Sequence, residues 1–181
     1  MSDQSIPFQT TLQRFDSDLW GYHIAVPNTL AENFLELGHK RVVCTLFGTV
    51  EIQCALMTRK QSLESNPSQN YFININKELR SRFRLDVGDE VEAAIRPDLS
   101  KYGLPMPEEL EELLAQDPEG DQLFHALTPG KQRSLLFMVG KPKGTDTRLK
   151  KALVILDHLK VNQGQLDFRR LQADFKEANR R

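Results

Sequence analysis

The chain has 181 residues, 39% of them hydrophobic and 27% charged, with a net charge of −1. That composition suits a soluble globular protein of one or two domains with a sizeable core, and it supplies no global field toward nucleic acid or membrane. The opening MSDQSIPFQT lacks the basic and apolar regions of a secretory signal, and the apolar run Leu135–Val139 is far too short to span a bilayer, so the cytosol is the expected compartment and no membrane insertion is expected.

Phe8, Thr10 and Leu12 alternate with polar residues and predict a first strand. Asp16-Ser17-Asp18 predicts a turn. Trp20–Val26 predicts a second strand, ended by Pro27. Thr29-Leu30-Ala31-Glu32 has capping-box spacing, so a helix capped by Thr29 is expected to run to Leu37 and to close at Gly38. Arg41–Phe47 and Val50–Met57 predict a hairpin. Both apolar faces can point inward only if the loop has an odd number of residues, which favours three residues with Gly48 in the left-handed region. That register puts Cys44 and Cys54, the only cysteines, on one face, opposite or diagonal to each other. Two cysteines without a CxxC spacing are expected to be buried apolar groups, and no metal site or cofactor is expected.

Arg59–Asn70 is polar, without periodicity, and predicts a loop. Tyr71, Ile73 and Ile75 then alternate as a strand, Asn76 is positioned to cap a short helix bearing Leu79 and Phe83, and Val87-Gly88-Asp89 predicts a turn. Val91, Ala93 and Ile95 form the last strand of this half. Moved back by 49 positions, the pattern recurs: Tyr22, Ile24 and Val26, then Leu30 and Phe34, then Val42, Cys44 and Leu46. Such periodicity points to two copies of one supersecondary unit. The expected fold class is α+β: a small β-barrel built from a pseudo-twofold strand-strand-helix-strand repeat with two short helices, followed by an all-α region.

After Asp98 strand patterns disappear. Expected boundaries are a barrel domain over 1–98, a linker over 99–106 and a helical domain over 107–181. Helices are predicted over Pro107–Gln116 with Leu110, Leu113 and Leu114 inward, from Asp117-Pro118 through Leu123, Phe124 and Leu127, and from Thr128-Pro129 through Leu135, Leu136, Phe137 and Val139. A longer helix capped by Thr145 or Asp146 is expected to bury Leu149, Leu153, Leu156 and Leu159 and to stop at Gly164. Asp167 is expected to cap a last helix bearing Phe168, Leu171 and Phe175. Charge is segregated: residues 107–121 hold seven acidic and no basic side chains, whereas 141–181 hold eleven basic and five acidic. Either these faces attract each other within one bundle, or Lys141, Lys143, Arg148, Lys150 and Lys151 form a basic site for a phosphate or an acidic partner.

Residues Lys40–Leu56 and Tyr71–Ile95, with Lys77, Leu79 and Arg80 before Leu85, Gly88, Asp89 and Val91, resemble a bacterial domain family of uncharacterised function in the double-split β-barrel class. That fold is shared with AbrB-like and MazE-like regulators. The segment TPGKQRSLLFMVGKPKGTDTRLKKALVILDHL is similar to the YdeI/OmpD-associated, bacteriocin-protection family. Thr147-Arg148 fits that family's central element, while the extra glycine and proline, and Asp146 in place of glutamate, depart from it. The second resemblance implies a link to stress or bacteriocin tolerance rather than a particular reaction.

No nucleophile elbow, P-loop, dinucleotide glycine motif or HExxH is present, and His23, His39, His125 and His158 are scattered, so no catalytic residue is assigned. Asp86 and Asp89 serve the turn in this interpretation, and Glu90 and Glu92 the outer face of a strand. The expected function is non-enzymatic binding of a small anionic ligand or a protein partner between barrel and helical region, by a monomer. Trp20, Tyr22, Tyr71 and Tyr102 are the candidate lining aromatics, with Lys141, Lys143, Arg148 and Lys151 as anion contacts. Two alternatives stay open: an AbrB-like DNA-binding regulator, for which Arg80, Arg82 and Arg84 supply some positive charge before the acidic residues from Asp86 to Glu92, and an uncharacterised enzyme.

Overall fold

The computed structural model describes residues 5–15, 21–58 and 69–180. The Asp16–Asp18 turn, Trp20 and most of the loop expected over 59–70 lie outside the described residues. The chain divides into two compact units, residues 1–99 and 100–181. Among the described residues no helix is long and apolar enough to cross a membrane.

The first unit is a curled antiparallel sheet of seven strands with two short helices. In chain order these are β1 (Ile6–Arg14), β2 (Tyr22–Val26), α1 (Asn28–Glu36), β3 (Arg41–Leu46), β4 (Val50–Ala55), β5 (Met57–Thr58), β6 (Tyr71–Asn74), α2 (Lys77–Phe83) and β7 (Glu90–Pro97). The ladder runs β4-β3-β7-β1-β2-β6-β5. Its two end strands are consecutive in the chain, with only Leu56 between them, so the sheet curls back to the run on which it started. Two runs are split between neighbours. Ile6–Thr11 of β1 pairs with β7 and Leu12–Arg14 with β2; β4 pairs with β3 and β5 with β6.

The duplication expected from the 49-residue echo is written into the register. Ile24 faces Ile73, its own counterpart, and Thr45 faces Ala94, again 49 positions apart. These two self-paired positions mark a pseudo-twofold axis. The splits obey it too: the Leu12 amide donates to the Asp89 carbonyl at 2.9 Å, and the Leu56 amide to the Lys40 carbonyl at 3.1 Å. Inward side chains of both copies make one core, in which Leu12, Ile24, Val42, Cys44, Leu46, Ile73, Val91 and Ile95 are fully buried.

Local chemistry explains most boundaries. The β3–β4 loop has three residues, with Gly48 at φ 63° as expected and Phe47 also at positive φ. Asn76 Oδ1 accepts from the Leu79 amide at 2.9 Å and caps α2. Gly88 takes φ 97° in the turn before β7, where the Asp89 carboxylate accepts from the Asp86 amide at 2.8 Å. The start of α1 differs from expectation. Thr29 is not its cap: the helix begins at Asn28 behind Pro27, whose fixed φ presets the entry, and no side chain caps it. Asn28 Oδ1 instead accepts from the Asn70 amide.

Cys44 and Cys54 are diagonal neighbours, each opposite a residue flanking the other. Burial pushes both thiols upward, Cys54 to about 12, so neither is a thiolate nucleophile at neutral pH.

The second unit is helical: α3 (Glu108–Gln116), α4 (Pro118–His125), α5 (Pro129–Gly140), α6 (Thr145–Val161) and α7 (Phe168–Ala178). Asp117 caps α4 through the Gly120 amide at 3.0 Å, and Asp167 caps α7 through the Arg169 and Arg170 amides. Leu110, Phe124, Leu135, Val139, Ala152, Ile155, Leu159 and Leu171 form its fully buried centre, with Tyr102, Leu104 and Met106 packed against it. Three expectations need correction. Neither Thr145 nor Asp146 caps α6, which starts behind Gly144 without a side-chain cap. Leu149 and Leu153 are 39% and 45% exposed, because the buried arc of α6 is centred on Ala152, Ile155 and Leu159 and those leucines fall on its flank. Phe137 is exposed, since three consecutive apolar residues on a helix cannot share one face.

Candidate functional site

The expected anion contacts surround the α5–α6 turn. Arg148 donates through Nε to Glu109 Oε1 at 2.8 Å, through Nη1 to the Lys143 carbonyl at 3.1 Å and through Nη2 to Thr145 Oγ1 at 3.3 Å. It therefore ties α3 to the start of α6. Lys151 Nζ donates to the Met138 carbonyl at 3.2 Å and lies 5.5 Å from the Phe175 ring centroid. Lys141 Nζ lies 5.8 Å from the Phe137 ring. Lys160 pairs with Asp117 at 2.5 Å. The acidic and basic segments thus attract each other inside one bundle.

Those pairs have a titration signature. The Arg148 guanidinium holds the Glu109 carboxyl below the usual carboxylate range, and Lys160 does the same for Asp117. Each carboxyl keeps its charge to lower pH in the folded chain than in the unfolded one. Their stabilisation is therefore full above the ordinary carboxylate pKa of about 4 and is lost as pH falls through the depressed folded values. The urea midpoint of the wild type is expected to fall on acidification below about pH 4, and the fall is expected to be shallower in Arg148→Met. Identical pH profiles for the two proteins would contradict the pairing.

Tyr22 and Tyr71 belong to the first unit and stand at different places on the β2–β6 ladder. The Arg80 guanidinium lies 3.5 Å over the Tyr22 ring centroid and Arg14 5.5 Å from it, while Tyr71 faces Val26 and packs against the barrel core. Tyr22 is thus covered by arginine planes, and Arg80 is held on the barrel by the same contact.

Tyr102 has a different setting. Asp121 and His125 are four apart on α4 and so share a face. His125 Nδ1 lies 3.0 Å from Asp121 Oδ1 and 3.0 Å from the Asp121 carbonyl. With two oxygen acceptors there, the proton belongs on Nδ1, which leaves Nε2 as an acceptor. The Tyr102 hydroxyl lies 2.8 Å from Nε2 and donates to it; Lys101 Nζ is 3.4 Å from the same nitrogen. The Tyr102 hydroxyl holds the Lys101 ammonium above the usual lysine range. Asp121, His125, Tyr102 and Lys101 form one hydrogen-bonded chain on the wall of a groove of about 530 Å³. Met106, Leu114, Ala115 and Pro118 supply its apolar surface and Glu111 a further carboxylate. Phe124 supports both rings from below, edge-on to Tyr102 at 6.2 Å and to His125 at 5.2 Å.

A larger groove, about 650 Å³, lies between α6 and α7. Its histidine is already committed. The His158 side chain is fully buried, its Nδ1 lies 2.6 Å from Asp174 Oδ2 and its Nε2 accepts from the Asp167 amide at 3.4 Å. Both nitrogens fasten α7 to α6. The smaller groove, whose histidine side chain is 33% exposed, is the candidate site. Among the described residues no group of three or more metal-ligating side chains occurs.

Residues 8–95 match the family model of a domain of unknown function (DUF1905), and residues 104–162 match that of the bacteriocin-protection, YdeI or OmpD-associated family. The chain carries these two domains in tandem. No curated protein matches it. The DUF1905 domain is the curled sheet. The YdeI/OmpD-associated match runs from Leu104 to the end of α6, so it includes Asp121 and His125, while Lys101 and Tyr102 directly precede it and α7 follows it.

Sequence reasoning proposed Tyr102 as an aromatic wall but passed over Lys101, Asp121 and His125. The signal available was the four-residue spacing of Asp121 and His125 behind the Asp117-Pro118 helix start. Nothing in the sequence brings Tyr102, 23 positions from His125, to the same place.

Proposed function

We propose that the chain is a non-enzymatic binding protein whose helical domain holds a small charged molecule in the Tyr102–His125 groove. The hydrogen-bonded chain Asp121–His125–Tyr102, ending at Lys101 beside an apolar wall, carries this reading. Ligand sites combine an apolar surface with a few convergent polar groups, and this groove has both. The family description, bacteriocin protection, supports a role in tolerance of such agents. Arg148 and Lys151 are engaged within the bundle, which favours the groove over the α5–α6 turn as the place of binding.

The same chain of bonds could activate the Tyr102 hydroxyl through a histidine backed by a carboxylate, and this favours proton-transfer chemistry as a second reading. Thermal-shift screening of the full chain against metabolites separates the possibilities. A stabilising compound is expected, and its affinity is expected to drop about tenfold or more in Tyr102→Phe and His125→Ala, the loss that goes with removing a hydrogen bond to a charged or polar ligand. Mass spectrometry of the bound compound after incubation is expected to return it unchanged; a product would favour catalysis. Equal stabilisation of wild type and both variants would sink the groove as the site.

A further inference from the structure

We infer that the groove takes a zwitterion of amino-acid or dipeptide size with apolar side chains. This deepens the binding reading of the same site and rests on it. The groove presents both signs of charge. Lys101 stands at one wall with its ammonium 3.4 Å from His125 Nε2. Asp121 stands behind the imidazole, and Glu111, exposed on α3, has no ion-pair partner among the described residues. A simple anion would be drawn to Lys101 but would face two carboxylates. A simple cation would reverse the difficulty. A molecule bearing an ammonium and a carboxylate satisfies both walls at once, and unlike charges facing each other are what discriminate such ligands.

The rest of the surface selects against polar bodies. Met106, Leu114, Ala115 and Pro118 carry no hydrogen-bonding side-chain group able to greet a sugar or a nucleobase edge. A volume of about 530 Å³ is within the range of small-molecule sites. The Lys101 ammonium would meet the carboxylate; Glu111, Asp121 and the Tyr102 oxygen, whose proton goes to His125, would meet the ammonium; and the four apolar residues would meet the side chains.

Isothermal titration of the full chain with leucyl-leucine and leucine, against N-acetyl-leucine and leucinamide, tests this. The first analogue lacks the ammonium and the second lacks the carboxylate. Both are expected to bind at least about tenfold more weakly than the zwitterions, since each lacks one charged contact. In Lys101→Met the penalty on leucinamide is expected to vanish while that on N-acetyl-leucine remains; Glu111→Gln is expected to reduce the penalty on N-acetyl-leucine. An analogue that binds as tightly as the zwitterions overturns the inference and leaves the groove a binding site. Failure of the zwitterions while another screened compound binds in a Tyr102-dependent way does the same. Failure of every compound removes the binding reading as well.

Discussion

Phe124→Ala is expected to destabilise the helical unit by about 3–5 kcal/mol, the usual cost of removing a fully buried phenylalanine. The residue is 0% exposed and stands at the centre of the cluster formed by Leu110, Leu135, Ile155 and Leu159. Its backbone carbonyl also accepts from the buried Gln132 side-chain Nε2 at 3.1 Å, which fixes the α4–α5 connection. The ring is the edge-on floor beneath Tyr102 and His125. Truncation therefore has a second consequence: with the cavity below them, the two rings lose their fixed separation, and groove affinity is expected to fall together with stability. Urea unfolding followed by amide exchange in residues 101–161 measures the first effect. Phe124→Leu, which refills much of the space, is expected to restore most of the stability but less of the affinity. A small loss of stability in Phe124→Ala, under about 1 kcal/mol, would contradict the packing described.

Ile24→Ala and Ile73→Ala are expected to cost about 2–5 kcal/mol each. The two side chains face each other across the β2–β6 ladder, both are 0% exposed, and each is the counterpart of the other in the duplicated unit. Because their surroundings are related by the pseudo-twofold axis, the two penalties are expected to be similar. The double variant is expected to depart from the sum of the singles by about 0.5–3 kcal/mol, as contacting residues do, since one enlarged cavity replaces two. Additive penalties would mean that the isoleucines do not share a cavity and would count against the paired register.

The first unit was legible in the sequence because its signals are local and repeated. Alternation placed the strands, Asn76 and Gly88 placed the α2 cap and the turn before β7, and the 49-residue echo gave the symmetry before any pairing was known. The echo could not show how β1 and the β4–β5 run divide themselves between neighbours, which depends on pairing across the curled sheet. The capping-box spacing misled at Thr29, where it yielded to the φ already set by Pro27. In the helical unit, Asp117-Pro118 and Asp167 marked helix starts correctly. The inward face of α6 was less legible: leucines at three- and four-residue steps fit adjoining faces, and neighbouring helices decided between them.

The candidate site was hardly legible. His125 seemed unpartnered along the chain because its partners are a carboxylate one turn back and a tyrosine that reaches it only after Tyr102, Leu104 and Met106 pack on the helical core. The basic segment drew attention for its charge, yet Arg148 and Lys160 are paired with Glu109 and Asp117. Segregated charge on the chain became internal complementarity in the bundle, and a mixed-charge groove, modest in the sequence, was left at the surface.

The most direct test of the account is an amide-resolved NMR titration of the full chain with leucyl-leucine. Saturable shifts are expected at residues 101–126, centred on Lys101, Tyr102, Asp121 and His125, and they are expected to be lost in His125→Ala. Saturable shifts confined to the DUF1905 domain or to the α6–α7 groove, or no shift at millimolar ligand, would contradict it.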